Sequence, residues 1–527
     1  MADLELIYRI GCAADEVDAV CRDIVYEQTV ELPPHLVTSP EILENVVGRV
    51  LAIEPVAGVE NAFSARIAYR GELTGGQFPQ LLNLIFGNIS MKRNIRLMDL
   101  HLPAEVLRMC PGPRYGVEGI RRRLGVYQRP LLATALKPQG SSAIQLAKMA
   151  GDFVRGGGDV VKDDHNLHDA DFRTWCDRVQ RCHAAVEEVN AATGRSALYL
   201  PNLMVPVDQL DRYVEWVTRQ GILGVLAAPC LLGLDTIRSL RQKSTLLFML
   251  HPTAAGAFFH HPEHGCPPSV LLGKLFRLIG GDISIFPNAG GRFTFSVDDC
   301  NQIARQCLQP LGDLPATFPA PAGGMRYETL AVMGRQFGPD AVFLIGGALL
   351  DHGPSLFDST RAFLERIEWL FPPRYAAPDS TFASACELPA RNGSGPSDVR
   401  SHLPFVDGFR WLGRAVSEYK SDESLPFRNV SRVELIGRHG EQTAFDLRYF
   451  EVQPGGYTSL EKHVHTHTVI GVRGQGVLQT SDQSIELKPF DVAYVGPMQS
   501  HQLRSLGDEP FGFFCIVDHE RDAPRPA

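Results

Sequence analysis

Between residues 130 and 370, short apolar runs alternate with longer stretches of helical periodicity, and this alternation restricts the fold more than any other feature of the chain. The runs are Leu131–Leu136, Asp159–Val161, Ala197–Leu200, Gly224–Ala228, Leu246–Leu250, Ile283–Phe286, Ala316–Pro319 and Ala341–Ile345. Each has the length of a buried strand. Eight strand–helix units, about 25–40 residues apart, predict a closed (β/α)8 TIM barrel. The alternative is an open doubly wound sheet, but the Gly-x-Gly-x-x-Gly fingerprint is absent and closure is favoured.

A barrel of this kind carries its chemistry where the strands end. Those ends read Lys137-Pro138-Gln139-Gly140, Lys162-Asp163-Asp164-His165, Pro201-Asn202, Pro229, His251-Pro252, Pro287-Asn288-Ala289-Gly290-Gly291-Arg292, Ala322-Gly323-Gly324 and Gly346-Gly347. Lysines, carboxylates, histidines and an arginine thus converge on one face. Paired glycines after the last two strands suit phosphate binding through backbone N–H groups. The densest end follows Gly156-Gly157-Gly158. Carboxylates and an imidazole there can hold a divalent cation. The Lys162 ammonium would repel that cation, whereas its carbamate, formed with CO2, would be an anionic oxygen ligand. The plain alternative is a surface loop with a Lys–Asp pair.

The flanks differ from this core. Residues 1–125 mix strand-like Leu4–Ile10, Arg49–Ile53 and Ala62–Tyr69 with helical Asp15–Val30 and Gln77–Phe86, predicting a small α+β domain with an antiparallel sheet. The barrel is expected over 126–375 and a breaker-rich linker over 376–425. Residues 426–527 read as strand after strand, with turns at Gly455-Gly456 and Arg473-Gly474-Gln475-Gly476, and predict a small all-β jelly roll. A chain of 527 residues exceeds what one core supports. Its net charge of −9 argues against nucleic acid or an anionic membrane as partner. Eleven scattered cysteines without a Cys-x-x-Cys pair suggest reduced thiols in the cytoplasm. Neither a signal peptide nor a membrane-spanning helix is expected.

The barrel motifs resemble the RuBisCO large chain. Lys162-Asp163-Asp164-His165 is similar to its Lys-Asp-Asp-Glu segment, whose lysine is carbamylated and binds Mg2+ with the second aspartate and the glutamate. The resemblance implies Lys162, Asp164 and His165 as metal ligands, with Mg2+ or, given the imidazole, Mn2+. Lys137 matches the acid/base lysine of a Lys-Pro-Lys motif, and His251 the strand-five histidine. Asn88, in Phe86-Gly87-Asn88, matches an asparagine that completes the neighbouring subunit's site, and Glu27 matches a glutamate of the same kind. This implies a homodimer. Arg292 falls at the mobile-loop lysine, and Gly323, Gly324, Gly346 and Gly347 at the phosphate-binding glycines. The departures are His165 for glutamate, Gln139 for the second lysine, Arg292 for lysine and Ala322 for serine. Changes at so many CO2-handling positions imply a RuBisCO-like protein that keeps enolisation without carbon fixation.

The C-terminal segment resembles a cupin. Gly455-Gly456 through His463, His465 and His467 to Gly476 is similar to the first cupin motif, and Pro489 to Pro497 followed by His501 to the second. Alternating histidines on one strand share a face. All three, with His501, are therefore expected to bind Mn2+, Fe2+, Ni2+ or Zn2+. Glu461 or a water would stand for the usual glutamate, and Cys515 is expected in the core. The resemblances together imply isomerisation of 5-methylthioribulose 1-phosphate in the barrel. The cupin would then release methanethiol from methylthioxylulose 5-phosphate. The rivals are decarboxylation or carboxyl hydrolysis of a 3-oxo-isoapionate 4-phosphate-like sugar phosphate, and a non-catalytic sugar or metal sensor.

Overall fold

The computed structural model describes residues 3–372 and, from 403 to 526, all but 407, 412, 420–425, 440, 442 and 520–524. The chain divides into two compact units, Met1–Ser380 and Thr381–Ala527.

The first unit opens with a four-stranded antiparallel sheet ordered β2-β3-β1-β4, where β1 is Asp3–Gly11, β2 Arg49–Pro55, β3 Ala62–Arg70 and β4 Ile95–His101. Leu4, Leu6, Tyr8 and Ile10 of β1 are buried at every second position. The helix Val17–Glu27 lays Val17, Cys21, Ile24 and Val25 inward, and a second helix, Phe78–Phe86, ends at Gly87. Strand β4 was not anticipated from the sequence; its polar, charge-interrupted pattern hides buried Ile95, Leu97 and Leu100.

All eight anticipated barrel strands are present: β5 (Leu131–Leu136), β6 (Val160–Asp163), β7 (Leu198–Leu200), β8 (Gly224–Ala227), β9 (Leu247–Leu250), β10 (Ile283–Pro287), β11 (Phe318–Ala322) and β12 (Val342–Leu344). They form one parallel sheet ordered β7-β6-β5-β12-β11-β10-β9-β8. The Leu226 N–H donates to the Pro201 carbonyl at 2.8 Å and closes the circle between β7 and β8. Side chains alternate as a period of two demands. Leu131, Ala133, Val160, Leu198 and Leu200 fill the barrel interior, while Leu132, Val161 and Tyr199 join the core under the helices.

Two barrel strands depart from the sequence reading by more than one residue. Strand β6 continues through Lys162 and Asp163, because its hydrogen-bonded register with β5 runs from Val160 to Asp163 whatever the polarity of the side chains. Strand β11 lies two residues later than anticipated. Pro319 and Pro321 withhold N–H groups on one side of it; it pairs from Phe318 to Ala322 with β10 but only at Ala322 with β12.

The start of the barrel is closed by the helix Gly116–Leu124, whose Val117 and Ile120 pack on the barrel interior. Asp282, fully buried, accepts from the backbone N–H groups of Tyr115, Gly116 and Phe248 at 2.6, 2.9 and 2.9 Å and ties this helix to β9.

Within the expected linker, the described residues hold β13 (Phe405–Val406), β14 (Arg410–Trp411) and β15 (Val416–Glu418), and the rest lies outside the described residues. Strand β15 pairs with β16 (Arg428–Ile436). Then follow β17 (Phe445–Tyr457), β18 (Glu461–Lys462), β19 (His467–Arg473), β20 (Gln475–Thr480), β21 (Ser484–Leu487), β22 (Val492–Val495), β23 (His501–Leu506) and β24 (Phe511–Asp518). They assemble as an antiparallel, barrel-like all-β domain around Phe450, Val452, Val469, Leu478, Phe513 and Val517. Gly455-Gly456, anticipated as a turn between strands, lies within β17, where Gly455 takes φ +70° without ending the strand.

Removing the Asp282 carboxylate leaves three buried N–H groups without an acceptor. Asp282→Ala is expected to lower the stability of the first unit by about 2–4 kcal/mol, read as an earlier urea midpoint in near-ultraviolet circular dichroism.

Candidate active site and candidate metal centre

Strand parity decides which groups of β6 face the barrel mouth. Val160 points into the interior and Val161 toward the helices, so Lys162 and Asp164 follow the first and Asp163 the second. Asp163 is fully buried there. Its carboxylate accepts from Arg178 Nη1 at 2.8 Å, from the Tyr199 hydroxyl at 2.8 Å and from the Asn202 N–H at 2.9 Å. Arg178, on the helix Phe172–Thr193, also holds Asp169. Asp163 is thus committed to structure, and Asp164 is the carboxylate left for chemistry.

Lys162 is 2% exposed, and its Nζ donates to the Asp163 carbonyl at 3.0 Å. Burial pushes its amine down to about 8; Asp164 opposes the shift and the Lys137 charge adds to it. Burial alone would raise the Asp164 carboxyl, but hydrogen bonds from His165 and the Asn166 N–H, with the Lys162 charge, hold it far below the usual range. His165 Nδ1 lies 3.3 Å from Asp164 Oδ1, and its ring stacks on His251 at 4.2 Å. His251 Nδ1 accepts from the Thr253 N–H at 3.1 Å, which leaves the ring proton on Nε2. Burial, then the charges of Lys162 and His165, push His251 down to about 2, so the ring is neutral.

Around this centre the other strand ends close in. A Cβ on Gly346 would lie 2.8 Å from Lys137 Nζ, placing that ammonium against the Gly346-Gly347 turn. Gly290, Gly323 and Gly324 take φ of +76°, +84° and +70°, and a Cβ on Gly324 would meet the Gly291 nitrogen at 2.8 Å. The loops after β10 and β11 therefore touch backbone to backbone, which only glycine permits. Arg292 is exposed in its loop. Two positioning groups were not anticipated from the sequence. Gln139 donates to the His168 carbonyl at 3.1 Å and accepts from its N–H at 3.3 Å, joining the loops after β5 and β6. Asn202 donates to the His165 and Leu167 carbonyls at 3.2 and 3.1 Å. Their sequence signal was position alone, at strand ends.

Asn88 and Glu27 are brought together, the Asn88 amide donating to Glu27 Oε1 at 3.0 Å. Buried Gln28 sets this pair by accepting from the Ile89 N–H at 3.1 Å and donating to the Asn83 and Leu84 carbonyls at 2.8 and 2.9 Å.

In the second unit the ligand atoms of buried His463, His467 and His501 lie within 4.8 Å of one another. The three anticipated strand histidines do not share a strand: β18 ends at Lys462 and β19 begins at His467. The intervening turn takes His465 out of register. Its ring stacks on His463 at 3.6 Å, and the converging imidazoles are three rather than four. Glu461 also stands outside that set and accepts from the Ser459 hydroxyl at 2.6 Å.

The remaining contacts fix the tautomers. His463 Nδ1 is 2.7 Å from the His465 carbonyl, and His501 Nδ1 is 3.0 Å from the Gln499 carbonyl. A carbonyl only accepts, so both Nδ1 atoms carry the proton and each Nε2 offers a lone pair. His463 Nε2 and His467 Nε2 are buried without a hydrogen-bond partner. Burial, then the neighbouring His465, pushes His463 down to about 4, and burial with the His501 charge holds His467 far below its ordinary value. Neutral imidazoles with orphaned nitrogens fit a first-row divalent metal. His463, His467 and His501 are the residues that would hold it. In the barrel, Asp164 and His165 gain no third His, Cys, Asp or Glu among the described residues.

The ribulose bisphosphate carboxylase large chain catalytic domain matches residues 116–291, and the cupin domain matches residues 448–517. The chain is 38% identical over 366 residues to the 5-methylthioribulose-1-phosphate isomerase of Rhodospirillum rubrum, covering 69% of this chain and 96% of that protein. It is 32% identical over 343 residues to the 2,3-diketo-5-methylthiopentyl-1-phosphate enolase of Geobacillus kaustophilus, covering 62% of this chain and 83% of that enzyme. The crystal structure of a RuBisCO-like protein from Rhodopseudomonas palustris aligns with a TM-score of 0.63 at 32% identity, over 71% of this chain and 99% of that one. The chain belongs to the RuBisCO large-chain family, among its RuBisCO-like (form IV) members, and carries a cupin domain in its C-terminal segment. Among the described residues no helix is long and apolar enough to cross a membrane.

The neutral histidines give the second unit an acid-sensitive stability. Below about pH 6.5 the unfolded chain takes up protons that folded His463 refuses until about 4. Stability is therefore lost as the pH falls through that window. Chelator-treated protein is expected to melt at a lower temperature at pH 5 than at pH 7. Zinc added at pH 7 should raise the midpoint, and His467→Ala should remove that gain.

Proposed function

We propose that the barrel isomerises 5-methylthioribulose 1-phosphate by enolisation and does not fix CO2. The observation that carries this reading is the pairing of a buried Lys162 amine with Asp164 beside the neutral His251. The similarity to the Rhodospirillum isomerase supports it, as do the altered residues Gln139, His165, Arg292 and Ala322. Captured CO2 would turn Lys162 into an oxygen donor, and with Asp164 and His165 it would hold Mg2+ or Mn2+. Such an ion supplies polarisation of a substrate carbonyl and hydroxyl. Lys137, against the Gly346 turn, withdraws the proton from C3 and returns one to C2; a second transfer of the same kind carries the carbonyl on from C3 to C4, so the product is an isomer. The His251 Nε2–H donates to a substrate oxygen without changing its charge. The backbone N–H groups of Gly323, Gly324, Gly346 and Gly347 take the phosphate, and Arg292 closes over it from its exposed loop.

In the same reading the cupin acts on the isomerised product, methylthioxylulose 5-phosphate, and releases methanethiol. That step exchanges a C–S bond for a C–H bond and needs a reductant, supplied as a thiol in the assay. Asn88 and Glu27 serve a partner's barrel, making the working unit a homodimer. The free thiols of every described cysteine suit a reducing cytoplasm.

Incubation with 5-methylthioribulose 1-phosphate, followed by phosphorus and proton NMR, tests the barrel step. Lys162→Ala and Asp164→Asn are each expected to reduce turnover by about a hundredfold or more. A branched 3-oxo acid sugar phosphate turned over in its place would refute the substrate.

Capture of CO2 requires the free amine. Carbamate signal from 13C-labelled bicarbonate should therefore rise as the pH passes through about 8. Activity indifferent to bicarbonate would remove the carbamate from the scheme. The His463→Ala/His501→Ala variant should keep barrel isomerisation within about a few-fold, accumulate the thiomethyl pentulose phosphate and release no methanethiol. Light scattering should find a dimer, and an active monomer would contradict the role given to Asn88.

A further inference from the structure

One buried cation of the cupin, Arg448, lies beside the histidine cluster. Arg448 lies on β17 two residues before Phe450 and four before Val452, both in the domain core, so it shares their inward face. It pairs across the sheet with Cys515 of β24, another core residue. Arg448 is 9% exposed. Its Nη2 donates to Cys515 Sγ at 3.5 Å, and that sulfur lies 3.6 Å from Nδ1 of His467. The guanidinium therefore stands one atom away from the three-histidine cluster.

Its partners are weak ones. Besides the thiol it has the Phe450 ring, 5.1 Å from the guanidinium carbon, and its Nε is buried with no hydrogen-bond partner. Three other arginines of this domain behave differently. Arg414 meets Glu441, Arg438 meets Asp446 and Arg473 meets Glu451. Among the described residues no carboxylate forms an ion pair with Arg448.

A buried guanidinium without a counter-charge is costly, and such groups persist where something else completes them. Imidazole ligates a metal as a neutral donor, so a divalent ion held there keeps its full charge, and the interior beside Arg448 becomes more positive still. A planar fork of N–H donors fits two oxygens of one charged group. An uncharged sugar would leave the guanidinium unmet.

We infer that the cupin takes an oxyanion, a phosphate monoester or a carboxylate, whose charged oxygens seat on Arg448 while another polar atom of the same molecule faces His463, His467 and His501. This rests on reading the cupin as a metal centre and adds to it the residue that takes the ligand's charge.

The test uses the full chain loaded with cobalt(II). The part of the visible spectrum that His467→Ala removes belongs to the cupin and excludes any barrel signal. Inorganic phosphate and oxalate are titrated separately against that part. At least one should perturb it saturably, and Arg448→Met should weaken that binding by about tenfold or more with cobalt stoichiometry unchanged. Phosphate alone would point to a phosphate ester, and oxalate alone to a carboxylate; either supports the inference. Equal affinity in Arg448→Met, or a fully loaded unaltered protein indifferent to both anions, overturns it. If Arg448→Met does not load cobalt, Arg448→Lys carries the test. It keeps the charge and loses the fork, so weaker anion binding is expected and unchanged affinity overturns the proposal. Failure to release methanethiol would strike the proposed reaction and leave the anion result standing.

Discussion

The catalytic end of the barrel depends on the clamp that holds Asp163. Arg178, Tyr199 and the Asn202 N–H converge on one carboxylate beneath the helices. With Asp163 fixed outward, the period of the strand turns Lys162 and Asp164 to the interior. A slip of one residue would exchange their positions. It would bury Lys162 against Arg178, two cations together, and leave Asp163 alone at the mouth. The clamp therefore sets register and chemistry through one interaction. Asn202 extends it, since the residue whose N–H holds Asp163 also supports the His165 and Leu167 carbonyls with its amide.

Burial is used similarly in the two units. In the barrel it drives an amine toward neutrality and leaves His251 uncharged beside Lys162. In the cupin it keeps His463 and His467 unprotonated, while backbone carbonyls select the tautomer at His463 and His501. In each case desolvation excludes the proton that would compete with CO2 or with a metal. The converging set in the cupin is complete with side chains alone. In the barrel the proposed set of Lys162, Asp164 and His165 would need the carbamate of Lys162 to complete it.

Much of this was legible in the sequence. Eight apolar runs gave the barrel because each strand is buried on both faces and so reads as a continuous apolar stretch. Lys162, Asp164 and His251 could be placed because strand ends are where such a barrel exposes side chains. What escaped had long-range causes. Arg178 meets Asp163 across a loop and a helix turn, and Gln28 holds the Asn88 segment across a separation of 61 residues. No local pattern reports either contact. The alternation of His463, His465 and His467 suggested one strand face, but β18 stops before His463 and the intervening turn breaks the period. The prolines of β11 hid its end, since a breaker on one side of a strand does not stop pairing on the other.

The backbone contact between Gly291 and Gly324 has an evolutionary consequence. Two loops that touch through bare backbone cannot change length independently, because an insertion in either would push the other off its strand end. A relative that accepts a bulkier substrate would have to find the room elsewhere. The exposed residues Phe293 and Thr294, outside that contact, are where divergence can accumulate without disturbing the neighbouring turn.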